Sequence, residues 1–242
     1  MSNWNNLNLY LTLDEQFQYT KKQLTDILIQ SCIRGNKEEV VSAIKNGAYI
    51  NCYDELQTPI MACVENSFFD LAQFLIKIGA NPSVMVNDKD AIWLSLQKQS
   101  YDFLDLFYSN KCRQNPKKET GETPLIYATK NSDLRAVEII AYKVNVNQKD
   151  NTGSTALHYN FMKTDPSSDD VAIAKILMAC GADTNARNLE GISCQDISRT
   201  TENDMSSVLI EHEQISQIVA EPDNDIPDFD AEPPKENKPF KL

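Results

Sequence analysis

The sequence is short of the residues on which most catalytic and nucleotide-binding motifs depend. It has only seven glycines in 242 residues, about half the usual ~7% share. Neither GxGxxG nor GxxxxGK(S/T) occurs. Those patterns let backbone amides approach a phosphate, so the two commonest nucleotide cradles are excluded. Histidine is scarcer still, at two. His158 and His212 stand far apart, and the six cysteines form no CxxC pair, so zinc-binding spacing is absent. GxSxG, HExxH and HxE with CxxC are missing too, which removes the usual hydrolase and deaminase signatures. No catalytic residue, cofactor or metal is expected.

Basic residues are also in deficit. Lys plus Arg is 23 against 35 Asp plus Glu, a formal net charge of −12. Nonspecific nucleic-acid binding requires phosphate neutralisation by cations, and an anionic membrane surface requires the same. Neither partner is expected; a protein with a basic surface is the ligand such a field steers inward. No run approaches the roughly 18 apolar residues of a membrane span. The start, MSNWNNLNLY, lacks a basic region followed by a long apolar run, so no cleavable signal is expected. Cysteines without metal spacing or a signal predict reduced thiols and a cytoplasmic location.

What the sequence does contain is repetition. NGAYIN (46–51), IGANPS (78–83), KVNVNQ (143–148) and CGADTN (180–185) end four segments alike. QTPIMAC (57–63), ETPLIYA (122–128), STALHYN (154–160) and ISCQDIS (192–198) begin four others. Thr58 can cap a helix whose next position, Pro59, suits a first helical turn. Ile60, Cys63 and Val64 then share a face, as do Leu71, Phe74, Leu75 and Ile78 after a turn at Asn66 and Ser67. Gly79 follows where a helix end favours glycine. Thr58, Thr123 and Thr155 lie close to two periods and one period of 33 apart. On these residues the chain resembles the ankyrin-repeat family, whose signature is TPLHxA.

The resemblance implies an all-α solenoid of five to six helix–turn–helix units joined by short β-hairpin turns, with terminal caps. The expected units are 24–53, 54–86, 87–117, 118–149, 150–187 and 188–213. The third rests on spacing alone, with Ala91, Ile92 and Trp93 in place of Thr-Pro-Leu. The fifth carries the insertion KTDPSSDD, expected as an exposed loop. Residues 1–23 read as an N-terminal cap or arm, with Thr12 and Glu15 forming a capping box. Residues 214–242 read as a helix end followed by an acidic, proline-rich tail. From Glu221 that tail has seven acids and three lysines, too little apolar content to fold alone.

His158 fills the histidine of the TPLHxA slot, which in this family is a structural hydrogen-bonding residue. Cys32 and Cys63 align with small core residues, whereas Cys112 and Cys194 are expected to be open to solvent. Binding is expected at hairpin tips and the exposed face of each first helix. The tip candidates are Tyr53, Asp54, Glu55, Leu56, Asp88, Asp90, Glu119, Glu122, Asp150 and Glu190. The first-helix candidates are Met61, Glu65, Trp93, Tyr127 and Tyr159, with core as the competing reading for Trp93. Ile226 and Phe229 are candidate anchors in the tail. The expected function is non-enzymatic protein binding by a monomer, as an acidic inhibitor or immunity-type antagonist of a basic protein such as a toxin. A secreted bacterial effector and a two-partner scaffold are the alternatives.

Overall fold

A computed structural model of the chain describes residues 19–110, 118–200 and 205–220, except for the side chains of 213 and 215–220. Its helices come in pairs because the sequence alternates capping residues with apolar stretches. α1 (Lys21–Ile33) opens with a capping box, in which the Thr20 hydroxyl accepts from the Gln23 amide and the Gln23 side chain accepts from the Thr20 amide. Asn36 caps α2 (Lys37–Lys45). Thr58, Thr123 and Thr155 cap α3 (Pro59–Glu65), α7 (Pro124–Lys130) and α9 (Ala156–Phe161), each accepting from the amide three residues on. In α5 (Ala91–Gln97) the same position is taken by Asp90. Ser193 precedes α11 (Cys194–Thr200) and accepts from the Asp196 amide. The second members of the pairs are α4 (Phe69–Lys77), α6 (Tyr101–Ser109), α8 (Leu134–Ile140, continued by a 3-10 turn Ala141–Lys143), α10 (Ser168–Ala179) and α12 (Met205–Ala220).

These helices stack in two rows. α1, α3, α5, α7, α9 and α11 pack successively against one another; α4, α6, α8, α10 and α12 form the second row. Their facing sides make one continuous core that includes Leu28, Ile29, Leu75, Leu104, Ile140, Leu157 and Leu177. Phe74 is only half-buried, with the Lys37 ammonium 4.8 Å from its ring centre, and Ile78 is exposed. A neighbouring pair therefore supplies the apolar surroundings that an isolated pair lacks.

Tight turns lead into the first-row helices. Asp54, Lys118, Asp150 and Asn188 donate their amides to the carbonyls of Gln57, Glu122, Ser154 and Ile192, and Val86 and Lys89 make a two-way antiparallel bridge. Among the described residues there is no longer strand. The turns are tied to one another. Asn151 donates its backbone amide to Thr120 and its side-chain amide to the Glu119 carbonyl; Asn87 reaches the Glu55 carbonyl, and the Leu189 amide reaches Thr152. A second set of ties crosses at the turns that follow the second-row helices. Asn51 accepts from the Asn81 amide, while Asn147 accepts from the Asp183 amide and donates to the Gly181 carbonyl.

Gly35, between α1 and α2, has φ +69°, and a Cβ there would lie 2.6 Å from the Phe68 ring. Gly35→Ala is expected to cost about 1–2 kcal/mol in denaturant titration. Gly47→Ala, where φ is +96° but nothing lies within 4 Å, should cost only the backbone strain. Equal losses at both positions would mean that the Phe68 contact is irrelevant.

Several expectations change. α1 starts at Lys21, three residues before the expected first unit, and α12 runs to Ala220 through the stretch read as a helix end after 213. The KTDPSSDD segment is not simply a loop. α10 begins inside it at Ser168, Ser167 forms a capping box with Asp170, and Asp170 is buried against the Lys163 ammonium. Lys163 also donates to the Thr129 carbonyl and the Ser132 hydroxyl, so the insertion is tied to the preceding unit. Thr12, Glu15, Cys112 and the tail with Ile226 and Phe229 lie outside the described residues.

Candidate protein-binding surface

The groups that ordinarily carry chemistry are occupied by structure. His158 is buried on α9. Its Nδ1 faces the Thr155 amide, so Nε2 carries the proton and donates to the Ile192 carbonyl. Burial holds its pKa below the ordinary histidine value despite that bond, so it stays neutral and links two successive units. Cys32 and Cys63 are buried in the core, as their alignment implied. Cys194, expected to be accessible, is also fully buried, and burial pushes its thiol up to about 12. The Cys63 thiol is raised by its hydrogen bond with Cys32 and by burial. A thiol held protonated is a poor nucleophile. Among the described residues no group of three His, Cys, Asp or Glu side chains is placed to hold a metal ion.

The predicted surface residues divide into three sets. The first is buried. Met61 and Trp93 are 3% and 0% exposed, and Asp90 is 0% exposed. None can offer its side chain to a partner. Each lies at or in a seven-residue first-row helix flanked on both sides by other first-row helices, so positions that look free on an isolated helix are covered by the stack.

The second set forms a neutralised band across α5, α7 and α9. The Lys118 ammonium lies 4.1 Å from the centre of the Trp93 ring and 5.3 Å from that of Tyr127, and these two rings meet edge-on at 5.5 Å. Lys118 also approaches Glu122 at 3.6 Å, and Lys130 binds the other oxygen of Glu122 at 2.9 Å. Burial disfavours the Lys130 ammonium, but the Glu122 carboxylate outweighs it and raises the pKa. Lys130 then stands over the Tyr159 ring at 4.2 Å, and the Tyr159 hydroxyl donates to Asp150 at 2.5 Å. Burial pushes the Asp150 carboxyl up, yet bonds from Thr152, Tyr159 and Ser154 prevail and hold it below the usual range. Glu65 belongs with this set, paired with Lys98 at 3.4 Å across neighbouring units. Each of these residues looks separate in the sequence because its partner, Lys118, Lys130 or Lys98, lies up to 33 residues away in the chain.

The third set is open. Tyr53 is 63% exposed and Leu56 is 74% exposed. Asp54 holds this tip in shape by accepting from the amides of Leu56 and Gln57. Glu55, Asp88, Glu119 and Glu190 are exposed at the tips of four hairpins, with no carboxylate ion pair at any of them among the described residues. Met85, which shares a cavity with Tyr53, and Leu189, exposed beside Glu190, were missed, as was the exposed Tyr49. Tyr49 sits in the NGAYIN turn and Met85 just before a tip; both read as framework in the repeat pattern.

Comparison with known proteins agrees with this architecture. The family model for ankyrin repeats, in three copies, matches residues 91–188. An ankyrin repeat domain from Acinetobacter baumannii AYE is 20% identical, covers 77% of this chain and 97% of its own, and superposes with a TM-score of 0.67. A chain from the complex of the predatory endopeptidase Bd0816 of Bdellovibrio bacteriovorus with immunity protein Bd3460 is 22% identical, covers 76% of this chain and 97% of its own, with a TM-score of 0.56. At such identities these likenesses concern the fold. A Plasmodium falciparum (isolate 3D7) protein named as a candidate E3 ubiquitin-protein ligase is 33% identical over 119 residues, 45% of this chain. The chain spans only about 1% of that relative's length. Ankyrin repeats are a framework for protein–protein interaction. With stacked capped pairs, linked hairpins and a family model matching residues 91–188, the chain carries ankyrin repeats and has the fold of an ankyrin-repeat solenoid.

Proposed function

We propose that the chain is a non-enzymatic binding protein that masks a basic partner, acting as an inhibitor or immunity-type antagonist. The observation that carries this reading is the open hairpin edge, where exposed Tyr53 and Leu56 stand beside carboxylates that have no ion pair among the described residues. An apolar tip gains nothing from water, whereas tyrosine is enriched among residues that dominate interfaces. The net charge of −12 adds long-range attraction for a cationic surface and speeds encounter with it. The likeness to a chain from an endopeptidase–immunity protein complex is consistent with an antagonist but concerns fold.

The test is recovery of the partner from the source cell on the tagged full-length chain, followed by association kinetics at rising salt. The expected partner carries net positive charge. Its on-rate should fall about tenfold or more between low and near-molar salt, while dissociation changes less. An acidic partner, or association indifferent to salt, overturns the electrostatic part. Turnover of a substrate by the purified chain, abolished by a point substitution, overturns the non-enzymatic part.

A further inference from the structure

Among the described residues, open apolar side chains stand beside exposed acids at two hairpin tips, Tyr53 and Leu56 beside Glu55 near the N-terminal end and Leu189 beside Glu190 near the other. The 53–56 tip stands between two cavities: one of about 410 Å³ shared with Thr25 and Asp26 of α1, and one of about 540 Å³ shared with residues 85–87 of the next hairpin. Tyr53 forms a wall of both, and Leu56 and Met85 add exposed apolar surface on either side. Asp26, Glu55 and Asp88 are exposed around them. Lys22 lines the first cavity and Lys89 is exposed beside Asp88, against the carboxylates of Asp26, Asp54, Glu55 and Asp88. The central band differs, since its Glu122 lies between two ammonium groups and its rings are already covered by lysines. The N-terminal tip thus combines open negative charge and exposed apolar area with two adjoining cavities.

We infer that the N-terminal hairpin edge, centred on Tyr53 and Leu56, is the docking surface, and that its occupant is a protein segment in which apolar residues are interspersed with lysine or arginine. This rests on the proposed reading of the chain as a binder of a basic protein and gives that reading a location. Apolar side chains enter the two cavities beside Tyr53, while their flanking cations meet Asp26, Glu55 and Asp88. The asparagine tie from Asn87 to the Glu55 carbonyl at 2.6 Å fixes the spacing of the two tips before the segment arrives, which lowers the ordering cost of binding.

The probe is a synthetic peptide of lysines interspersed with leucines, titrated into the isotope-labelled full-length chain and followed by amide chemical shifts. One control replaces leucine with serine, and the other replaces lysine with glutamate. Saturable shifts are expected at residues 25–26, 53–56 and 85–88, with both controls binding at least about tenfold more weakly. Leu56→Asn, at an exposed position, should weaken the lysine–leucine peptide roughly five- to tenfold without altering the melting temperature. Shifts centred on residues 118–159, or no response to Leu56→Asn, overturn the location and leave the general reading standing. Equal binding of the glutamate control overturns the general reading together with the site.

Discussion

Replacing Asp90 with threonine stabilises the protein at neutral and alkaline pH by a few kcal/mol and leaves it almost unchanged near pH 4. Asp90 occupies the cap position that threonine fills at 58, 123 and 155. One carboxyl oxygen accepts from the Trp93 amide at 2.8 Å; the other is buried without a hydrogen-bond partner. Burial raises the carboxyl pKa from 3.8 to about 7, against the opposing pull of the Trp93 and Ile92 amides. Tyr108 on α6 faces the same region, and burial and the Asp90 charge both raise its hydroxyl. The unfolded chain ionises Asp90 near pH 4, whereas the folded chain retains the proton until about pH 7. The folded state therefore holds more protons between these values, and stability falls as pH rises through that window. Above it the loss is complete and constant, on the order of a few kcal/mol. Threonine keeps the cap and removes the charge. Denaturant titrations of both proteins at pH 4 and pH 8 decide the matter. An equal difference at the two pH values would show that the carboxyl does not titrate in this window.

Leu75→Asp should abolish cooperative folding or remove most of it. Leu75 is 0% exposed on α4, a helix packed against both α3 and α6. The substitution removes a buried aliphatic side chain, costing about 2–5 kcal/mol, and leaves a carboxylate with no partner, which adds several more. Typical domains hold about 5–15 kcal/mol in total. Because each unit depends on its neighbours, the damage spreads along the stack. Leu157→Asp, at 1% exposure on α9, should behave similarly from the other side of the array. Circular dichroism melts of each variant are the check; an unchanged transition for Leu75→Asp would refute the packing described for α4.

Much of this fold was legible because its local signals are strong. The three threonine caps, Pro59 and Pro124, Gly79 and Gly181 after second-row helices, and His158 beside its turn each announce a backbone geometry from a few residues of sequence. The errors share a different cause. Met61 and Cys194 are buried by helices from adjoining units, a contact that no single helix pattern contains, and for Trp93 the same contact settles the core reading over the surface one. Asp90 looked like one more solvated acid in an acidic tip, because its threonine counterparts lie in other units. The pairing of Lys118 with Trp93 and of Lys130 with Tyr159 is equally non-local. It separates the candidate surface into a neutralised centre and an open end, a distinction that residue types alone do not reveal.

The ties between hairpins grip backbone atoms, with Asn87 held to the Glu55 carbonyl and Asn151 to that of Glu119. They make no use of the side chains at Tyr53, Glu55, Leu56 or Glu119. Cohesion thus uses different atoms of these turns from those proposed for recognition. Point changes can rewrite the tips while the ladder beneath them persists, so a lineage of such proteins can follow a changing partner without refounding its scaffold at each step.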